Sequence, residues 1–145
     1  MKKIRLLLTT LVLTFVMVFA VGCGIETDWN KATEKFVKKG YEVGLGTEYS
    51  DIRYTLSAFS LYVSPSNVDC ILTADDEFED ELIFIFYCKD AATAEEIHER
   101  IDRNSSLIMG FAKTAGNSVS SDDVLYACDG SIFYIGTKKA IKIAK

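Results

Sequence analysis

Four cysteines, one histidine and 21 acidic residues are the side chains of this 145-residue sequence whose types could carry catalysis or hold a metal. His98 is the only imidazole. A multi-histidine metal site is therefore ruled out, and a cysteine nucleophile would have one candidate base. His98 falls in Glu95-Glu96-Ile97-His98-Glu99-Arg100-Ile101-Asp102. Ile97 and Ile101 turn to the core of a helix, which leaves His98 and Glu99 facing out, with Glu95, His98 and Asp102 along one side. The Glu-x-x-His fragment resembles one quarter of a di-iron helix bundle, but the second copy and two further glutamates are missing. Local ion pairs on an exposed helix account for it. Cys70, Cys88 and Cys128 fall in or beside predicted strands, match no zinc spacing and form no Cys-x-x-Cys. Two readings stay open: buried, inert thiols, or a Cys70–Cys88 bridge across a hairpin if the register brings them together.

The acids cluster most densely in Asp75-Asp76-Glu77-Phe78-Glu79-Asp80-Glu81. Such a run attracts hard cations, yet it lacks the Asp-x-Asp-x-Asp-Gly rhythm of a calcium loop. It reads as a solvated hairpin tip, with Phe78 as either a small hydrophobic clamp or an exposed anchor for a partner. No Gly-x-Ser-x-Gly, phosphate loop or Gly-x-Gly-x-x-Gly occurs. No catalytic residue, metal or cofactor is expected. The alternative is a small-ligand binder or enzyme with a pocket lined by acids and by Tyr49, Tyr54, Tyr62, Tyr87, Tyr126 and Tyr134.

The N-terminus carries an address. Met1-Lys2-Lys3-Ile4-Arg5 is basic, Leu6 to Val21 is apolar and uncharged, and Gly22-Cys23-Gly24 follows at once. This is the layout of a secretory signal, and the apolar run is short for a spanning helix. Ala20-Val21-Gly22-Cys23 resembles the lipobox of bacterial lipoproteins, with alanine where leucine is commoner. The resemblance covers the first 23 residues. It implies that 1–22 is a signal peptide, that the Cys23 thiol carries a diacylglyceryl group, and that the chain is cut just before it. Two acyl chains suffice for stable attachment to a membrane. The expected location is the extracytoplasmic face of a bacterial cell membrane.

The rest must be one domain, 28–145, on a short tether, 23–27. The sequence is 49% hydrophobic and 26% charged with a single proline, which is a globular composition. Its net charge of −5 and lack of a basic stripe argue against nucleic acid as a partner. Trp29, Ala32, Phe36 and Val37 form the apolar face of a first helix capped by Thr27 or Asp28 and closed by Gly40. Its other face carries Lys31, Lys35, Lys38 and Lys39 against Glu34. That is either a solvated face or one turned to anionic headgroups.

Strands are predicted near Tyr41–Leu45, Phe59–Val63, Val68–Thr73 and Leu82–Cys88, then a hairpin of Val124–Ala127 and Ile132–Ile135 around Asp129-Gly130. Helices are predicted over 47–56, from an N-cap at Asp90 or Thr93 to about Asn104 or on to Ala112, and for a short stretch to Lys145. Ile141 and Ile143 also fit a strand. The order suggests an α+β fold: a ferredoxin-like, split β-α-β-β-α-β antiparallel sheet with an extra N-terminal helix and a C-terminal hairpin. Leu82–Cys88 is apolar on both rows, so both its faces must be covered. The two long helices cover one, and the first helix, the segment near residue 60 or a partner covers the other. The leading expectation is a non-catalytic interaction module, contacting another envelope protein through the sheet face of Ile83, Ile85 and Tyr87 or through Phe78.

Overall fold

The fold is seen in a computed structural model describing residues 24–145. Residues 1–22, expected to be a signal peptide, and Cys23 lie outside the described residues. Five helices and a five-stranded antiparallel sheet make a three-layer α+β body, helices covering both faces of the sheet.

Asp28 starts α1 (Trp29–Lys38) by accepting the backbone N–H groups of Asn30 and Lys31, and Ala32 and Phe36 bury its inner face. The chain passes through Gly40 to β1 (Glu42–Gly46), then α2 (Tyr49–Ala58), whose Ile52 and Leu56 are buried one turn apart. β2 (Val68–Asp76) and β3 (Glu81–Cys88) form a long hairpin with the acidic turn at its tip. The helix expected from Thr93 onward is two: α3 (Ala91–Asp102), capped by Asp90 accepting the Thr93 N–H at 2.7 Å, and α4 (Ser105–Ala115). β4 (Val124–Asp129) and β5 (Ile132–Thr137) form the predicted hairpin, where Gly130 supplies the positive φ of +59° that the turn requires. α5 (Lys138–Ala144) closes the chain as a helix, not a strand.

The sheet order is β1-β2-β3-β5-β4, which places β3 in the centre as its doubly apolar sequence demands. The pairing departs from the split β-α-β arrangement. That arrangement sets β1 and β2 parallel with another strand between them, whereas here they are antiparallel neighbours, Glu42 opposite Asp75 and Gly46 opposite Ile71. The segment near residue 60 is not a strand; Leu61 and Val63 plug the core beneath α2.

One core lies between the sheet and α2, α3 and α4, built on Leu82, Phe86, Phe133, Ile135, Ile97 and Ile101. The second lies between the sheet and α1 and α5, built on Phe36, Leu72, Ile83, Ile85, Tyr87 and Ile141. Each large apolar side chain buried there contributes about 1.5–3 kcal/mol, which is why β3, apolar on both rows, anchors both.

Candidate functional site

The sheet face proposed from sequence as a partner surface is closed. Ile83 and Ile85 are fully buried and Tyr87 nearly so, covered by α1 and α5 of the same chain. Trp29 packs edge-on against Tyr87 at 5.5 Å, and the Tyr87 hydroxyl donates to the Glu26 carbonyl at 3.0 Å. Burial pushes the phenol's pKa upward. These three residues are core: the first helix, one of the covers the sequence allowed, supplies part of the lid, and α5, whose helical nature was ambiguous, supplies the rest.

Phe78 is placed as the hairpin-tip reading implied: it is 99% exposed. The turn beneath it is pinned. The Phe78 N–H donates to the Asp76 carboxylate at 3.1 Å, and Lys139 lies 3.4 Å from Glu79. Asp80 accepts from the Ser118 N–H and hydroxyl, holding the tip to the loop after α4. Only glycine fits at 116, because a Cβ there would fall on the Asp80 carboxylate.

Cys70, Cys88 and Cys128 are free thiols. A bulge between Val68 and Cys70 shifts the register, so that Cys70 pairs with Tyr87 and Cys88 with Val68. The two sulfurs then belong to opposite faces of the sheet, Cys70 to the α1/α5 core and Cys88 to the α2–α4 core. No Cys70–Cys88 bridge spans that separation. Burial pushes their pKa values up, to about 11 for Cys70 and about 12 for Cys88. Cys128 and His98 line one shallow cleft with Glu95 and Glu99. The Cys128 thiol donates to the Ala94 carbonyl at 3.2 Å, and burial and then Glu95 hold its pKa above the ordinary value. A nucleophilic thiol needs the opposite shift. His98 packs against the rings of Tyr126 and Phe133. No group of three or more His, Cys, Asp or Glu side chains among the described residues is arranged to hold a metal ion.

The tyrosine-and-acid pocket does not form. Tyr49, Tyr54 and Tyr62 are exposed, Tyr87 and Tyr134 pack in the α1/α5 core, and Tyr126 donates to Asp102 at 2.8 Å. A phenylalanine cleft stands in its place. Phe59 caps the C-terminus of α2 and α4 passes opposite it, leaving between them an opening of about 330 Å³ floored by Leu82 and Phe84 and walled by Phe59, Leu107 and Phe111. Phe59 meets Phe84 edge-on at 4.9 Å, and Phe84 meets Phe111 at 6.0 Å. Ser106, Gly110 and Thr114 form its exposed rim along one side of α4. The lining contains no ionisable side chain.

Gly110 is the telling residue. Glycine within a helix costs about 1 kcal/mol relative to alanine, so a structural reason for it is sought in close packing. None exists here, because a Cβ at 110 would meet nothing within 4 Å. The glycine leaves space in front of the phenylalanines. Periodicity could have raised this cleft as a candidate, since Phe84 is the β3 residue on that face lying over the gap between two helices. What it could not supply was the width of the gap. No protein-family model, curated protein or solved structure matches the chain. No helix among the described residues is long and apolar enough to cross a membrane.

Proposed function

We propose that the protein is a lipid-anchored module on the extracytoplasmic face of a bacterial membrane, non-catalytic, that holds an apolar group of another envelope protein in the phenylalanine cleft. The observation that carries this is the cleft itself: three phenylalanines, no ionisable lining, and a rim glycine that steric packing does not require. Aromatic pockets of this kind accept a partner's anchor side chain and exclude water from it. Phe78, on its pinned turn, offers a second apolar contact. Support for the anchor comes from the N-terminal signal pattern ending at Cys23.

The volume of about 330 Å³ also lies at the lower end of small-molecule sites. That favours a second reading, a small apolar ligand in the same cleft. One experiment separates the two. A photo-crosslinking amino acid replaces Ser106 in the full chain, in native membranes, with and without Gly110→Leu. The proposal expects a discrete protein-sized adduct that Gly110→Leu abolishes, while the variant stays folded by circular dichroism. An adduct of only small-molecule mass would select the second reading. An adduct unaffected by Gly110→Leu, or none, would sink both.

A further inference from the structure

The outer surface of α1 and α5 gathers the positive charge of an otherwise acidic body. Lys31, Lys35, Lys38 and Lys39 belong to α1 and the residue after it, and Lys138, Lys139, Lys142 and Lys145 to α5 and the residue after it. Elsewhere the described residues carry Lys89, Lys113 and three arginines, Arg53, Arg100 and Arg103, of which Arg100 and Arg103 are paired with Glu96 and Glu99. The two helices lie side by side, and between them runs a groove of about 510 Å³ lined by Lys35, Lys38, Lys39, Lys139, Lys142 and Ile143. Lys35 is 3.4 Å from Glu26 and Lys139 is 3.4 Å from Glu79. Among the described residues Lys38, Lys39 and Lys142 have no such ion pair, and all three are exposed. Val37 stands exposed beside them.

The chain joins the domain on this same side. Ile25 is buried in the α1/α5 core, its N–H donating to the Asp129 carboxylate at 2.8 Å, and the Glu26 N–H donates to the Ala144 carbonyl at 2.9 Å. The expected tether of 23–27 is therefore packed from residue 25 onward. Residue 23 can lie no more than about 7 Å along the chain from Ile25. A lipid on Cys23 would bring the end of the α1/α5 layer to the bilayer.

We propose that the lysine face of α1 and α5 docks on anionic lipid headgroups, laying the domain on the membrane with the phenylalanine cleft on the opposite, outward side. This rests on the lipid-anchor reading. The occupant follows from charge and position: five lysines line one groove, on the layer that receives the anchored end of the chain. Each lysine at an anionic surface strengthens association roughly fivefold. The anchor makes the encounter intramolecular, so a modest attraction sets the orientation.

The test uses the processed full-length protein, reconstituted from outside into vesicles of phosphatidylcholine, alone or mixed with phosphatidylglycerol. A membrane-impermeant amine-acylating reagent is applied, and mass spectrometry reads each lysine and the acyl mass on Cys23. The expected result is severalfold slower labelling of Lys38, Lys39 and Lys142 on the anionic vesicles, with Lys89 and Lys113 unchanged. In about 1 M salt, where the Debye length falls to about 3 Å, the contrast disappears. Equal labelling on both vesicles, with acylated Cys23 and flotation on both, would overturn the docking face while leaving the anchor standing. Flotation on anionic vesicles alone, without acyl mass but with the same protected lysines, would overturn the anchor and uphold the face. Flotation on neither would overturn both. Slower labelling caused by inorganic phosphate on phosphatidylcholine vesicles would reassign the groove to free phosphate.

Discussion

On one side of the sheet, α1 and α5 close over Ile83, Ile85 and Tyr87, and Gly136, paired with Ile83 across the strands, has no room for a methyl group, which would lie 2.8 Å from the Ile83 side chain. On the other side, α2 and α4 part above Phe84 and leave an opening in which a methyl group at Gly110 would touch nothing. Both layers are amphipathic helices on an apolar strand surface, so amphipathicity alone does not separate them. The difference lies in how completely the helices fill the space they share. The sealed side keeps its inner surface for stability, and its lysine-bearing outer surface is the part left to interact. The open side leaves part of its core in contact with solvent, and that part is the proposed binding site.

The substitution with the largest expected effect is Ile85→Asp. It places a carboxylate, with no cationic partner, where the side chain is fully buried. An unpaired buried charge costs several kcal/mol, added to the lost burial of isoleucine, against a total stability of about 5–15 kcal/mol. The variant is expected to lose its cooperative thermal transition by circular dichroism. A folded Ile85→Asp protein with the parent's melting temperature would show that this side is not sealed.

A pair of phenylalanines sharpens the contrast. Phe36 is completely buried on the inner face of α1, whereas Phe59 is half-buried at the cleft. Phe36→Ala is expected to cost about 3–5 kcal/mol. Phe59→Ala should cost about 1–2 kcal/mol, because part of its ring already faces solvent. Urea denaturation measures both. Equal losses would remove the distinction between the two sides.

These residues also mark how far the sequence could be read. The apolar double row of β3, the Asp28 and Asp90 caps, and the Asp129-Gly130 turn were legible, because each is fixed by chemistry within a few positions of chain. The strand order was not. It depends on β1 meeting β2 across 21 intervening residues, a choice that tertiary packing makes. Of the two cysteine readings, the Cys70–Cys88 bridge fails for a single-residue reason: the bulge at Asp69 inverts the side to which the cysteine points relative to its neighbours across the hairpin, and both thiols are buried and free. Phe78 was legible as a tip residue because acids surround it. Ile83, Ile85 and Tyr87 were legible as needing cover, but the helix that supplies much of it, α5, has isoleucines spaced equally well for a strand. The width of the phenylalanine cleft was not legible, since a gap between helices is a property of their separation and not of either sequence.

The two glycines are expected to differ in sign, and Gly110→Ala has the smallest effect of all. Gly136→Ala pushes a methyl group against Ile83 on the sealed side, where overpacking costs about 1–3 kcal/mol. Gly110→Ala adds a methyl group to the cleft and restores helix propensity, a gain of up to about 1 kcal/mol. Thermal melts should therefore move down for the first and up for the second. If Gly110→Ala does raise the melting temperature, the helix retains a destabilising glycine that packing does not explain. The same variant should then weaken the Ser106 crosslink in proportion to the volume it removes from the opening. A stabilised variant whose crosslink is undiminished would mean that the space at Gly110 serves neither folding nor binding, and the open side of the sheet would lose its claim to be the functional one.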